Sequence, residues 1–416
     1  MTGTTTYVGR PNGDPELRGS KSRHPTNRPA SRRQKRQSLQ RRRAAARGPK
    51  PTVGEPSVHY YIIASVMVVL TLLGLVMVLS SSAVKAINNG QSGWGYFKKQ
   101  VVWAVLGLAA LFITVRVPYT KWRRFVKVGL VGSFVLMLAV FLPGLGRDVN
   151  GARAWLNLGP FGFQPSEAMK LALLLYSADL LARRSEHIAN PKRTLRPVLM
   201  LLGMACVLVL AQRDLGSGIV MAVIVLAVAF FAGVPMRPLA GATVGMTAIG
   251  VFFVLSESYR RARWTSFLDL AAQKKGDGYQ VWQSLVAVAS GGLTGAGLGA
   301  GKAKWGFVPE LHTDFIFALI AEEMGLFGVI VVCALFGVLG YAGVQVALHA
   351  KDTFAMLLAG GVTAWLLAQA VINIMGVVGM MPLTGLTLPF VSFGGSSLLI
   401  TMSAAGLLLN VARNSA

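Results

Sequence analysis

Between residues 60 and 412 the chain returns ten times to apolar runs about 20 residues long, the length a helix needs to cross the hydrocarbon core of a bilayer. In that medium backbone polar groups must be paired within the segment, so runs this uniformly apolar are helices. Spans are drawn near 60–82, 99–117, 126–144, 166–184, 196–213, 216–234, 239–256, 314–342, 353–375 and 394–412. The expected fold class is an all-α polytopic membrane protein. Residues 59–413 form its ten-span domain, with a long outer segment, 257–313, between spans seven and eight. Cys206 and Cys333 both fall inside apolar runs, where they read as small buried side chains rather than disulfide partners or metal ligands.

Charge sets the expected orientation. Of the net +25, residues 1–58 hold 14 Lys/Arg against 3 Asp/Glu, a balance of +11. Rich in Pro, Ser, Gly and Arg and without apolar periodicity, this segment is expected to be a disordered basic cytoplasmic tail, and it does not have the layout of a signal peptide. Its runs Arg32-Arg33-Gln34-Lys35-Arg36 and Arg41-Arg42-Arg43 would suit nucleic acid in isolation. Directly ahead of a membrane domain they point to anionic lipid instead, and no nucleic-acid partner is expected. An even number of spans then puts both termini in the cytoplasm. The outer segments are not poor in basic residues, since 257–313 carries Arg260, Arg261, Arg263, Lys274, Lys275, Lys302 and Lys304. Either a long loop escapes the positive-inside bias or the outer face binds something anionic.

Three outer segments, 145–165, 257–313 and 376–393, collect the polar motifs. In the first, Arg153 and Trp155 precede Phe163-Gln164-Pro165-Ser166-Glu167, with Lys170 three residues beyond Glu167 on one helical face. Ser166 suits a helix cap and Trp155 an interfacial belt, but those readings do not account for Arg153, Gln164, Glu167 and Lys170 gathered near the bilayer surface. Gln212-Arg213-Asp214 breaks an apolar run, so it lines a cavity or is buried in protein; Arg213 and Asp214 are also placed to neutralise each other. Arg260, Arg261 and Arg263 form a basic cluster that serves as an interfacial anchor or grips phosphate. The glycine-rich 291–301 lacks the strand–helix context of a dinucleotide loop and reads as a linker or a close-packed turn. Residues 385–397, with Ser392 and Ser396, form either a ligand-approaching backbone or a re-entrant turn.

The sharpest feature is Glu310-Leu311-His312-Thr313-Asp314 at the lip of span eight, because ionisable groups at that depth are expensive and mark function. Asp314 can cap the helix. It can also act as a general base toward a hydroxyl, with a raised pKa against an apolar wall and with Glu310 and His312 orienting it or the acceptor. Glu322 and Glu323 lie about two turns deeper, as polar packing or a cavity lining.

Taken in order, Gly-Ala-Arg-x-Trp-Leu with Phe-Gln-Pro-Ser-Glu, Gln-x-Asp-Leu-Gly-Ser, Tyr-Arg-Arg-x-Arg, Pro-Glu-x-His-Thr-Asp-Phe-Ile-Phe-Ala and Gly-Leu-Thr-Leu-Pro-x-x-Ser resemble the SEDS family over residues 60 to 412. Gly385-Leu386-Thr387-Leu388-Pro389 is closer to the family's division-type members than to its elongation type, and the basic tail is similar to that of actinobacterial ones. The resemblance implies a glycosyltransferase that polymerises lipid II with inversion and works beside a class B penicillin-binding protein and other division proteins at the septal membrane. It implies Asp314 as the base, undecaprenyl pyrophosphate as the leaving group, and binding roles for Arg153, Trp155, Glu167, Lys170, Gln212, Asp214 and Ser392. Arg260, Arg261, Arg263, Glu310, His312 and Ser396, which lie in or beside the same motifs, join that set. A divalent cation, Mg or Mn, can share the charge-offsetting role, although no ligand cluster requires one. Arg213 stands where the family has proline, and Thr384 where some members carry lysine. A lipid II transporter and a scaffold for the septal transpeptidase are the competing functions. A transporter needs ionisable residues near the midplane, whereas here they crowd the outer rim.

Overall fold

The computed structural model describes residues 56–88, 94–149, 151–159, 161–256, 258–276 and 278–414; the basic tail lies almost wholly outside them. Twelve helices follow in order. They are α1 (Val58–Asn88), α2 (Gly95–Arg116), α3 (Tyr119–Ala139), α4 (Pro165–Arg183), α5 (Leu195–Ala211), α6 (Leu215–Phe231), α7 (Met236–Ser256), α8 (Ser258–Leu268), α9 (Tyr279–Ser290), α10 (Ile316–Leu348), α11 (Thr353–Val377) and α12 (Gly395–Asn414). Each of the ten expected spans overlaps one of them. Among the described residues six are both long and apolar enough to cross a membrane: α1, α2, α7, α10, α11 and α12. The apolar α5 and α6 are shorter.

The helices pack through small residues, which let backbones approach where lipid removes the hydrophobic drive for helix pairing. A Cβ on Gly406 of α12 would lie 2.0 Å from Thr114 Oγ1 of α2, and one on Gly343 of α10 would lie 2.2 Å from Thr363 Oγ1 of α11. Asn410 of α12 ties the same region together. Its Nδ2 donates to the carbonyls of Thr114, Val115 and Val117, and its Oδ1 accepts from the backbone N–H of Tyr119. These bonds satisfy the last carbonyls of α2 and the first amide of α3. Helices α11 and α12 are mostly buried, whereas α7 is almost wholly exposed. Cys206 is half-buried, but Cys333 is exposed on α10, so the expectation of two buried thiols holds only in part.

Two of the segments between spans have regular structure that the apolar pattern does not announce. Residues 145–165 contain an antiparallel meander, β1 (Gly146–Val149), β2 (Ala152–Leu158) and β3 (Phe161–Phe163), in which Leu156 faces both Gly146 and Phe163. The long 257–313 segment contains α8 and α9.

The glycine-rich stretch is a close-packed turn against a break in α10. Gly325 leaves helical geometry at φ 65° and ψ −161°, which frees groups on both sides of it. The turn takes them up: Ala296 N donates to Glu322 O, Gly297 N to Glu323 O, and Leu326 N to Gly292 O. The two glutamate side chains hold the next residues. Glu323 accepts from the amides of Gly299 and Gly301 and from Ser80 Oγ, and pairs with Lys304 at 3.3 Å. Glu322 accepts from the amides of Lys302 and Ala303. Both carboxylates are buried, so this irregular backbone is satisfied internally, as its depth demands.

Candidate active site

Asp314 closes a turn rather than capping α10. The N-cap is Phe315, and Asp314 N donates to Glu310 O at 3.2 Å while Thr313 Oγ1 donates to the same carbonyl at 3.0 Å. Glu310 sits at φ 54°, a left-handed conformation uncommon for a residue with a side chain, and it lines the same cavity as Asp314. That cavity, about 260 Å³, is lined by Arg263, Gln280, Pro309, Glu310, Asp314, Leu383 and Gly385. Burial pushes the Asp314 carboxyl up to about 6, helped by Glu310 and Asp214 and opposed by Arg263 and a hydrogen bond from Thr313. A carboxylate of that strength is largely ionised at neutral pH yet more basic than a solvated one.

Arg263, on α8, also lines a second, apolar groove of about 450 Å³ between α6 and α7. Ile219, Ala222, Val223, Met246 and Val251 form its walls, and Arg213, Arg263 and Thr384 stand at its polar end. The polar cavity and the apolar groove thus share Arg263 and Leu383. Arg263 Nη1 also donates to Leu383 O at 3.4 Å, which fixes the guanidinium between them.

Behind the cavity, α11 supplies two amides that the motif reading did not single out. Asn373 Nδ2 donates to Asp314 O at 2.8 Å and to Leu386 O at 2.6 Å. Gln369, one turn earlier, donates to Thr387 O and accepts from Lys170 Nζ and Trp365 Nε1. The only sequence signal for them was a pair of amides four apart in an otherwise apolar span.

Of the expected site residues, Asp314, Glu310 and Arg263 come together on one cavity. Glu167 and Lys170 form a buried ion pair at 2.7 Å, with Lys170 Nζ also 5.5 Å from the Trp365 ring. Asp214 caps α6 through Ser217 N and accepts from Gln164 Nε2 and Ser166 Oγ. Ser166 therefore serves this network and is not the cap of α4, whose N-cap is Gln164. The expected Arg213–Asp214 neutralisation is absent among the described ion pairs; Arg213 is exposed at φ 63°.

Others serve as scaffold. Gln212 is fully buried and donates to Met137 O. Ser392 Oγ accepts from Leu388 N, and Ser396 Oγ accepts from Gln164 N, so both serine hydroxyls hold loops. The His312 ring packs on Tyr96 and Phe393, with centroids 5.0 and 5.4 Å away, and does not line the Asp314 cavity. Trp155 is half-buried on β2, Arg153 is exposed beside it, and Arg261 is exposed on α8. The Arg260 side chain lies outside the described ones. No three His, Cys, Asp or Glu side chains converge among the described residues. Glu310 and Asp314 offer a cation two carboxylates, fewer than a protein cage supplies.

The model of the FtsW/RodA/SpoVE family, described as a cell cycle protein, matches residues 60–416. A probable peptidoglycan glycosyltransferase FtsW of Geobacter metallireducens is 40% identical over 344 residues, covering 83% of this chain and 92% of that one. Stage V sporulation protein E of Bacillus subtilis is 39% identical over 355 residues, covering 84% and 96%. A solved structure, "Structural coordination of polymerization and crosslinking by a peptidoglycan synthase complex", superposes with a TM-score of 0.70 at 31% identity, covering 85% of this chain and 97% of that one.

Proposed function

The chain belongs to the FtsW/RodA/SpoVE family of cell cycle proteins, and we propose that it is the septal peptidoglycan glycosyltransferase, polymerising lipid II with Asp314 as general base. One observation carries the mechanistic reading: Arg263 joins a polar cavity holding Asp314 to an apolar groove between α6 and α7. A lipid-linked pyrophosphate sugar has that polarity, with a prenyl chain, a doubly charged link and a hydrophilic head.

Asp314 removes the proton from the acceptor's sugar 4-hydroxyl. The oxygen attacks the donor's anomeric carbon from the face opposite the leaving group, forming the glycosidic bond with inversion. The bond from that carbon to the phosphate oxygen breaks, and its electron pair leaves on undecaprenyl pyrophosphate. Arg263 stands at the junction where this charge appears and offsets it electrostatically. Arg213, Arg153 and Arg261 add positive potential on the same face. The buried Glu167–Lys170–Gln369 set and Asn373 hold the backbone of Asp314, Leu386 and Thr387. Hydroxyl deprotonation by a placed base is worth about 10²- to 10⁴-fold.

The protein works at the division site, with both termini in the cytoplasm and the Asp314 face outside. Its partner is a class B penicillin-binding protein that crosslinks the new strand, together with other division proteins; the basic tail meets anionic lipid. The similarity to a synthase complex that couples polymerisation with crosslinking supports this pairing. The test is polymerisation of labelled lipid II by the purified protein and its transpeptidase, wild type against Asp314→Ala. Glycan chains made by the variant would sink the base assignment. Lost lipid translocation with polymerisation intact would turn the reading to transport.

A further inference from the structure

At the far end of α4 from the Gln164–Asp214 network lies a second polar cavity, about 580 Å³, that the polymerisation reaction does not use. The 19 residues of α4 make it about 28 Å long from end to end. Arg183, Arg184, Lys192 and Arg193 line the cavity with His187, against one carboxylate, Glu186. Arg183 is engaged by Asp179, which also binds Arg123. Arg184, Lys192 and Arg193 are exposed, and no ion pair involves them among the described residues.

The loop that carries them is built rather than loose. Asn190 organises it: its carbonyl accepts from the Arg193 and Thr194 amides and from Thr194 Oγ1, and its Oδ1 accepts from Lys192 N. Arg184 reaches across to donate to Arg193 O. These bonds hold the cations on one rim before any ligand arrives.

Directly beside the cavity is an apolar groove of about 420 Å³, lined by Leu195, Leu199 and Met200 with Pro191, Lys192 and Arg196. Lys192 lines both spaces. From Met200 the groove runs into an exposed apolar stripe on α5 formed by Met204 and Val207, one and two turns on. A cationic cup opening onto an apolar track along a membrane helix matches one class of ligand, a phosphate headgroup with acyl chains. We propose that this end of the bundle is a binding site for an anionic diacyl phospholipid, its phosphate among Arg184, Lys192 and Arg193 and an acyl chain along Leu199, Met200 and Met204. The site is independent of the polymerase reading and of the amino-terminal tail.

The test uses the full-length protein in nanodiscs of equal phosphatidylglycerol and phosphatidylcholine, with retained lipid counted by native mass spectrometry. Wild type retains phosphatidylglycerol in preference to phosphatidylcholine by about tenfold or more, as expected for several cations near one phosphate. The variant R184Q/K192Q/R193Q loses that preference. The charge-matched K121Q/R124Q/K127Q, on the same end of the bundle through the Arg123–Asp179 pair, keeps it. L199Q/M200Q loses bound lipid with the cations intact, and millimolar inorganic phosphate does not displace the lipid. An unchanged preference in the cavity variant overturns the site. Equal loss in the control variant reduces it to diffuse attraction, and displacement by phosphate makes it a soluble-anion site. Lys192→Glu alone, at an exposed position, reads the same outcomes if the triple variant does not fold.

Discussion

At the scale of the residue, Asp314 carries two predictions with opposite signs. As the proposed base it would work ionised, so Asp314→Asn should cut glycan polymerisation by about 100-fold or more. The fold, however, disfavours the ionised carboxyl, whose ordinary value of 3.8 is raised to about 6. An acid with a raised folded-state pKa weakens the native state once it is ionised. Asp314→Asn should therefore unfold at a higher temperature than wild type above pH 6, and the gap should close as the pH falls toward 4. An inactive variant less stable than wild type at pH 7.5 would contradict this. Polymerisation itself should fall as the pH drops through about 6, and the charges beside Asp314 set where that acid limb lies. Glu310→Gln removes a like charge and moves the acid limb down, while Arg263→Gln removes an opposite one and moves it up. A pH profile of kcat/KM for the three proteins checks this. Asp314 was legible in sequence because a carboxylate abuts a long apolar run. Asn373 and Gln369 were not, because their partners, Asp314 O, Leu386 O and Thr387 O, come from distant segments. His312 shares the motif but spends its ring on Tyr96 and Phe393.

At the scale of the element, span existence was legible while the structured segments between spans were not. Twenty apolar residues specify a helix without knowledge of neighbours. The β meander did leave a trace, a period of two in which Ala154 and Leu156 are buried while Arg153 and Asn157 are exposed, but over so few residues it competes with a loop reading. The glycine-rich turn needs its partner to be understood. Gly295 sits at φ 81°, and a Cβ there would come 2.2 Å from Glu323 O. Gly295→Ala should therefore lower the unfolding midpoint and reduce polymerisation by displacing the segment leading to Asp314. Glu323→Gln should cost about 3 kcal/mol or more, since it strips a buried carboxylate from Lys304 and two backbone amides. Denaturant unfolding in detergent measures both. If either variant matches wild type in stability and rate, the turn is not a support for the site.

At the scale of the whole molecule, the bundle is uneven: α11 and α12 are buried in its interior while α7 stands at its margin with little packed against it. That asymmetry leaves the apolar groove between α6 and α7, and no residue pattern gave it away, because both helices are apolar all round. Its volume, about 450 Å³, is that of a pocket enclosing a drug-sized molecule. On the proposed reading it seats the isoprene units nearest the pyrophosphate and leaves the remainder of a long prenyl chain in the bilayer. Gly250 gives access to this space without strain, because a Cβ built there meets nothing within 4 Å. Gly250→Phe should fill the groove while leaving Asp314, Arg263 and Glu310 in position. For a donor with the full prenyl chain, kcat/KM should fall by about tenfold, on the order of the 1.4 kcal/mol that a displaced apolar contact supplies. For a donor that carries a methyl group in place of the prenyl chain the variant and wild type should react alike, both slowly, because neither gains from the groove. Equal losses for both donors would mean that the phenylalanine disturbs the polar cavity instead. No loss for the long donor would mean that the prenyl chain leaves Arg263 along another path.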